Sequence, residues 1–284
     1  MSYEERSFFF ACGGESLLGI VAMPAEPAEV GVLVIVGGPQ YRVGSHRQFV
    51  LLTRALAAAG IACMRFDQRG TGDSSGAMRS FETIDEDIRA AVDAFVTVTP
   101  QVSKVVLWGL CDAASAACCY AASDPRVVGL VLLNPWVRTD ASEASTYLRH
   151  YYGRRLLEPG FWRKVVRGEF APGRSARSLA ALVRRAAGGA GGAPTSTALP
   201  LPDRMASALE RFRGRVLLVL SGNDLTAAEF RDAVARSAHW GKALQANPLA
   251  TVELPDADHT FSTARWRSEV AEATRSWLRE WAPQ

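Results

Sequence analysis

Short apolar runs rich in β-branched residues alternate with helix-forming stretches along most of this chain. This alternation limits the choice of fold more than any other feature of the sequence. Strand-like runs lie at 30–36, 61–67, 104–109, 127–135, 215–224 and 250–259. Helix-forming stretches lie at 49–59, 84–96, 112–122, 227–239 and 266–281. This order is typical of βαβ units, in which a sheet of parallel strands carries helices on both faces. The sequence therefore predicts an α/β protein with a mostly parallel central sheet.

The alternation stops after Trp136. Residues 137–213 contain no strand-like run, and the tract at 186–200 is rich in Gly, Ala, Pro, Ser and Thr, a composition typical of mobile loops. We therefore predict one core domain, built from residues 1–136 and 214–284. An inserted helical cap at 137–213, with a flexible loop near 186–200, interrupts this domain.

The predicted cap is strongly basic. It contains thirteen arginines and one lysine against six acidic residues, a net charge of +8, whereas the whole chain carries +3 and the remainder therefore −5. Three interpretations remain open for it. The first is a solvated lid whose aromatic residues face the core. The second is a lid over an anionic substrate, such as an acyl group on coenzyme A, on a carrier protein or on a lipid phosphate. The third is peripheral contact with an acidic membrane surface. No nucleic-acid partner is predicted, because no recognition motif accompanies the basic residues.

The cysteines and the N-terminal segment bear on the compartment. The five cysteines lack the spacing of a disulfide framework and form no C-x-x-C zinc motif, which is typical of a reducing compartment. The first residues lack the basic start and long apolar segment of a signal peptide, and no apolar run reaches the ~18 residues that a membrane span needs. The sequence thus predicts a cytoplasmic protein, with the inner face of the membrane as the surface that a basic cap would contact.

The segment 105–117, VVLWGLCDAASAA, places one cysteine between a predicted strand and a run of small residues. A strand, a sharp turn and a helix form a nucleophile elbow, whose usual pattern G-x-S-x-G here reads G-L-C-D-A from Gly109 to Ala113. The outer positions of this pattern are small because neighbouring backbone packs against the turn. The pattern predicts Cys111 as a nucleophile. The alternative is a buried core cysteine, as free cysteines often are.

A thiol nucleophile needs a base, and the base needs a group that orients it. In chains with such an elbow an acid and then a histidine follow the nucleophile. Asp224 ends one predicted strand and His259 follows the last one, so we predict Cys111, His259 and Asp224 as a catalytic triad. A plain turn aspartate is the alternative for Asp224. Tyr41 and His46 lie near the predicted entrance and are candidates for substrate contact, with a solvated or capping role as the alternative for His46.

A triad of this kind also needs hydrogen-bond donors for an oxyanion, from the backbone after the nucleophile and from a loop after an early strand. The Asp112 backbone N–H is the first predicted donor. In the tract VGGPQ the second is Gly38, because Pro39 has no N–H group, and Gln40 is a weaker candidate. A simple glycine turn is the alternative for this tract.

The glycine-rich tract FDQRGTGDSSG at 66–76 invites a phosphate-loop interpretation. It has no Walker lysine and no G-x-G-x-x-G pattern, so nucleotide binding is not predicted. We assign Asp67, Arg69, Gly70 and Gly72 to a structural turn that supports the site.

These landmarks, in this order, resemble the α/β-hydrolase superfamily, in which FDQRGTGDSSG matches a D-x-R-G-x-G-x-S turn. More narrowly, GGPQYRVGSHRQF, GLCDAASAA and LLNPWVRTDASEASTYLRHYY resemble the exosortase A system-associated hydrolases. The first resemblance implies an α/β-hydrolase fold. The second implies a cysteine at the elbow and a link to bacterial exopolysaccharide production. The chain departs from the broader pattern at Cys111, at Ala113 and at Val36, where histidine is frequent.

The function predicted from these residues is cleavage of an acyl ester or thioester through an acyl-cysteine intermediate. An acyltransferase with the same triad and a catalytically silent binding protein are the alternatives. The expected partner is a small-molecule acyl substrate, with anionic and carrier-linked forms included. We expect no cofactor and no metal, and the sequence does not indicate an oligomeric state.

Overall fold

The computed structural model of the chain describes residues 2–38, 40–138 and 199–282. Its strands are β1 (Tyr3–Cys12), β2 (Glu15–Pro24), β3 (Val30–Ile35), β4 (Cys63–Phe66), β5 (Lys104–Leu110), β6 (Val127–Leu133), β7 (Arg215–Ser221) and β8 (Leu249–Leu254). Its described helices are α1 (Gln48–Ala58), α2 (Asp85–Val98), α3 (Asp112–Ala121), α4 (Leu201–Arg211), α5 (Leu225–Arg236), α6 (Ala238–Gln245) and α7 (Ala264–Trp281). Short 3-10 turns lie at Ser45–Arg47 and Phe81–Thr83.

The strands form one eight-stranded sheet in the order β1-β2-β4-β3-β5-β6-β7-β8. From β4 to β8 every neighbouring pair is parallel, whereas β1 pairs antiparallel with β2, and β2 antiparallel with β4. The predicted parallel sheet is confirmed, and the α/β-hydrolase fold with it. The carboxyl ends of the parallel strands share one edge, where ligands bind in such folds.

The two antiparallel strands were not predicted from the sequence. β1 contains Glu4, Glu5 and Arg6, and most of its residues are exposed because it lies at the sheet edge. A strand that is not buried on both faces lacks the continuous apolar run that marks a parallel strand. The tight turn between β1 and β2 is made by Gly13 and Gly14, both with positive φ.

Helices cover the sheet on both faces, and alternate strand residues point to each of them. In β5, Val105 and Leu107 belong to the core cluster formed with α2, α3, α4, α5 and α6. Val106 and Trp108 belong to the cluster on the other face, which includes residues of α1 and α7. The strands that end at the candidate site are therefore fixed from both sides.

The turn after β4 is held by two buried carboxylates. Asp67 is completely buried and accepts hydrogen bonds from the Arg42 and Asp73 backbone N–H groups at 2.7 and 3.0 Å. A Cβ atom at Gly72 would lie 2.1 Å from Asp67 Oδ2, so only glycine fits there. Arg69 donates from its backbone N–H and from Nε to Asp87 of α2, at 2.8 and 2.7 Å. These contacts tie the turn to α2 and to the loop after β3.

Most of the predicted cap at 137–213, including nearly all of the predicted flexible loop near 186–200, lies outside the described residues. The described end of this segment contains α4, whose Met205, Ala206 and Leu209 are buried in the same core cluster as α3. α4 thus packs with α3 in the core on one face of the sheet. The division of the chain into core and cap stays a prediction.

Among the described helices, none combines the length and the apolar character that crossing a membrane requires.

The buried pair of Arg69 and Asp87 provides a test of how the turn is held. We expect Asp87→Ala to lower the free energy of unfolding by about 3 kcal/mol, because a nearly buried guanidinium loses its main partner. Asp93→Ala on the same helix is the matched control. Asp93 is 58% exposed in its ion pair with Arg126, and its loss should cost less than about 1 kcal/mol. Urea unfolding measures the stability of both variants. Equal unfolding midpoints for the two would contradict the stabilising role of the Arg69–Asp87 pair.

Candidate active site

Cys111 lies at the turn from β5 to α3, at the carboxyl edge of the sheet. Its backbone has φ 63° and ψ −124°, a conformation that a residue with a side chain rarely adopts. Its N–H donates to the Leu133 carbonyl at 2.9 Å, and its own carbonyl accepts from the Trp136 N–H at 3.2 Å. The end of β6 thus holds the turn in place. Strained residues of this kind cluster at functional sites.

The residues around this turn are small because two backbone segments meet there. A Cβ atom at Gly109 would lie 2.6 Å from the carbonyl carbon and oxygen of Ala113. Ala113 and Ala114 are completely buried. The first turn of α3 therefore rests directly on the end of β5, which presents the Cys111 side chain toward the cleft.

His259 and Asp224 come together at the ends of β8 and β7. The ring Nδ1 lies 2.9 Å from Asp224 Oδ2, and the carboxylate is 6% exposed whereas the ring is 35% exposed. Asp224 also caps the N-terminus of α5, where its two oxygens accept from the Thr226 and Ala227 N–H groups at 3.2 and 3.1 Å. The start of the helix thus positions the carboxylate that orients the ring.

The charge of His259 follows from its neighbours. Hydrogen bonds to Asp224 and to Cys111 raise the pKa of His259 from its ordinary 6.5 to about 10, against the opposing effect of burial. At neutral pH the ring therefore carries two protons and a positive charge. This positive charge lies beside Cys111, and the thiolate is the nucleophilic form of a cysteine.

The loop that carries His259 is anchored by Asn134 and Ser221, which the sequence analysis did not identify. Both are completely buried. Asn134 Nδ2 donates to Ser221 Oγ at 2.9 Å and to the His259 carbonyl at 3.2 Å, and the Ser221 N–H donates to Asn134 Oδ1 at 2.8 Å. Ser221 Oγ donates to the Asp258 carbonyl at 2.9 Å. The available signal was a polar residue at the end of each of two apolar strands: Asn134 follows β6 and Ser221 is the last residue of β7.

The predicted oxyanion donors lie beside Cys111, but one already has a partner. The Gly38 N–H donates to Asp112 Oδ2 at 2.9 Å, and Asp112 Oδ1 accepts from the Ala113 N–H at 2.9 Å. Gln40 Oε1 accepts from the Ser45 N–H at 3.0 Å, so this side chain is used within its own loop. Only the backbone N–H of Asp112 was predicted from the sequence to take part in the site, and its carboxylate was not.

A cleft of about 330 Å³ opens over Cys111. Its lining consists of Gly37, Gly38, Gln40, Phe81, Leu110, Cys111, Asp112, Trp136 and His259. Within the described part of the chain, Tyr41 and His46 are not among these residues, and their contact with a substrate stays a prediction. Over the same residues, no group of three or more His, Cys, Asp or Glu side chains could hold a metal ion.

The chain belongs to the alpha/beta hydrolase family, whose model matches residues 32–273. None of the curated proteins compared with this sequence matches it.

Solved structures share the fold. The esterase Pf2001 from Pyrococcus furiosus has 14% identity and a TM-score of 0.67, over 99% of this chain and 92% of the esterase. Dienelactone hydrolase from Anabaena variabilis has 17% identity and a TM-score of 0.61, over 99% of this chain and 100% of that protein. XC6422 from Xanthomonas campestris, a serine hydrolase without a lid, has 16% identity and a TM-score of 0.58, over 100% and 98% of the two chains.

The hydrogen bond between Asp224 and His259 can be tested by titration. We expect the pKa of His259, measured from its ring carbon NMR signals, to fall from about 10 toward 6.5 in Asp224→Asn. A raised pKa means that the protonated ring stabilises the fold fully below pH 6.5 and that this contribution is lost as the pH rises through 10. The wild type should therefore lose more stability than the variant between these pH values. An unchanged His259 titration in the variant would contradict the assignment.

The anchoring role of Asn134 generates a second prediction. Asn134→Ala should cost about 2 kcal/mol of stability, because the buried Ser221 N–H loses its acceptor. It should also slow alkylation of Cys111 by iodoacetamide, because the His259 loop loses its tie. Asn247→Ala is the matched control. Asn247 is also buried and donates to the Leu209 carbonyl at 2.7 Å, so its loss should lower stability and leave Cys111 alkylation unchanged. Equal alkylation rates in the two variants would show that Asn134 has no role in positioning His259.

Proposed function

We propose that this protein hydrolyses an acyl ester or thioester with Cys111 as nucleophile, His259 as acid and base, and Asp224 as the group that orients His259. The observation that carries the proposal is the run of contacts from the Asp224 carboxylate to the His259 ring and from the ring to Cys111. This run lies at the strand edge where the alpha/beta hydrolase family has its nucleophile elbow.

In the first half of the reaction, the Cys111 thiolate attacks the acyl carbon of the substrate. The carbon–sulfur bond forms, and the carbonyl π electrons move onto oxygen. When the tetrahedral intermediate collapses, the bond to the leaving group breaks and His259 gives that group its proton. The acyl group is then held as a thioester on Cys111, and the ring is neutral.

In the second half, neutral His259 accepts a proton from water as the water oxygen attacks the thioester carbon. The carbon–sulfur bond breaks, the carboxylic acid leaves and the thiolate is restored beside the imidazolium. The Asp224 carboxylate keeps Nδ1 protonated throughout, so that the other ring nitrogen exchanges the proton. The backbone N–H groups of Gly38 and Asp112 are the proposed donors to the oxyanion in both halves.

The cleft favours a small apolar acyl group. Phe81, Leu110 and Trp136 give it an apolar lining beside the polar turn, and its volume of about 330 Å³ lies at the lower end for small-molecule sites. The described esterase and dienelactone hydrolase neighbours support a hydrolytic reaction on this fold. The resemblance to exosortase A system-associated hydrolases supports a link to exopolysaccharide production. The cysteine pattern and the N-terminal segment support a cytoplasmic location, and the charge of the basic cap supports an anionic or carrier-linked substrate or contact with the inner membrane face.

The proposal is tested by a screen of p-nitrophenyl esters, acyl thioesters and lactones, with intact mass spectrometry to trap the acyl-enzyme. We expect turnover and a mass increase equal to one acyl group. Added alcohols or amines that compete with water for the acyl group would identify an acyltransferase. A Cys111 thiol that reacts no faster than free cysteine near neutral pH, with no acyl adduct, would identify a binding protein.

Replacement of the nucleophile gives the sharpest prediction. Cys111→Ala should lower turnover by roughly a thousandfold or more and remove the acyl adduct, with the fold intact by circular dichroism. Cys119→Ala is the matched control, since Cys119 is a second half-buried thiol, on α3, away from the cleft lining. Cys111→Ser should keep part of the activity on esters, because His259 can activate a hydroxyl. Full turnover in Cys111→Ala would refute the nucleophile assignment.

A further inference from the structure

The Asp112 carboxylate occupies the space where the proposed oxyanion would lie. Asp112 Oδ2 accepts from the Gly38 N–H at 2.9 Å, and this N–H is one of the two proposed oxyanion donors. The Gly38 donor is therefore engaged by a carboxylate that belongs to the protein itself.

The loop after β3 is shaped to admit this carboxylate. A Cβ atom at Gly37 would lie 2.0 Å from Asp112 Oδ1 and 3.0 Å from the Ala113 N–H nitrogen. Any residue other than glycine at position 37 would therefore displace the carboxylate. The Ala113 N–H completes the set of donors at 2.9 Å. The side chain is thus held by contacts from two separate segments, the β3 loop and the start of α3.

The hydrogen bonds explain why the carboxylate stays there. The pKa of the Asp112 carboxyl is raised, because burial outweighs the Gly38 and Ala113 N–H groups and the positive charge of His259, which favour its ionised form. Hydrogen bonds to an ionised acceptor are about twice as strong as those to a neutral one. A neutral ester carbonyl is therefore a weaker ligand for the Gly38 N–H than the carboxylate that already holds it.

We propose that the Asp112 carboxylate is an internal occupant of the oxyanion hole and that it has to leave the Gly38 N–H before an acyl substrate reacts with Cys111. This inference rests on the proposed function. The state with a vacant hole is the reactive one, so the observed rate is reduced by the fraction of molecules in that state. Because this fraction is a property of the free protein, the reduction in kcat/KM is the same for every acyl substrate.

Two variants at position 112 test whether the carboxylate in the oxyanion hole lowers kcat/KM. Asp112→Asn keeps the shape and removes the charge, and Asp112→Ala removes the whole group. With the hole vacant in about a tenth of the wild-type molecules or fewer, both variants should raise kcat/KM by about tenfold or more. The factor should agree between p-nitrophenyl acetate and p-nitrophenyl hexanoate. Asp256→Asn is the matched control, since it removes an exposed charge three residues from His259 without touching Gly38.

A reaction of Cys111 that forms no oxyanion shows whether the Asp112 variants act only by changing the charge near the thiol. Iodoacetamide alkylates the thiolate by displacement of iodide and builds no negative charge on a carbonyl oxygen. Its rate with Cys111 should therefore change much less than the rate of ester acylation in Asp112→Asn and Asp112→Ala. Equal increases in the two rates would assign the effect to the thiol and overturn the inference.

Occupancy of the hole has a readout that is independent of activity. The Gly38 amide proton and nitrogen NMR shifts should change in Asp112→Asn and Asp112→Ala and stay constant in Asp256→Asn. Unchanged Gly38 shifts, or variants that acylate no faster than the wild type, would overturn the inference and leave the proposed function standing. No acyl-enzyme in the wild type or in either variant, on any substrate, would overturn the proposed function and this inference with it.

Discussion

The close approach of α3 to the end of β5 is the constraint on which the rest of the site depends. It requires glycine at 109, where a side chain would meet the Ala113 backbone at 2.6 Å, and it forces Cys111 into a backbone conformation that side chains disfavour. It also brings the Asp112 side chain within hydrogen-bond distance of the β3 loop. The positions of the thiol, of the proposed oxyanion donors and of the carboxylate that engages one of these donors are therefore consequences of one packing contact, and a looser contact would misplace all of them together.

The second constraint is the network of buried polar groups that joins the ends of β6, β7 and β8. Asn134 and Ser221, both completely buried, hydrogen-bond to each other and to two carbonyl groups of the His259 loop. A satisfied buried network has one favoured geometry, because each broken bond leaves an unpaired group in a medium of low dielectric. The histidine is thus held before a substrate arrives, which lowers the entropic cost of reaching the reactive arrangement.

The sequence was sufficient for features that depend on local pattern and insufficient for those that depend on distant pairs. The buried parallel strands were predicted within a few residues, since they are apolar on both faces, and the contact of His259 with Asp224 agrees with the order of the motifs. The β1–β2 hairpin was missed because an edge strand tolerates charges.

The helix expected at 227–239 is two helices, α5 and α6. They are divided at Ser237, whose hydroxyl accepts a hydrogen bond from the Trp240 N–H of α6. The Asp112 carboxylate was missed because its partner Gly38 lies 74 residues away and contributes only a backbone group.

Asp224 has two tasks that depend on different properties of the same side chain. As the residue that caps the N-terminus of α5 it needs only an acceptor oxygen, which asparagine, serine and threonine also provide. As the partner of His259 it needs a negative charge, which among common residues only glutamate shares, and glutamate is a poor residue with which to begin a helix. Asparagine or serine at this position would therefore keep the start of the helix, but would lose both the stabilisation of the protonated His259 ring and the proposed chemistry. A descendant with either residue there would be a less stable relative without the proposed reaction.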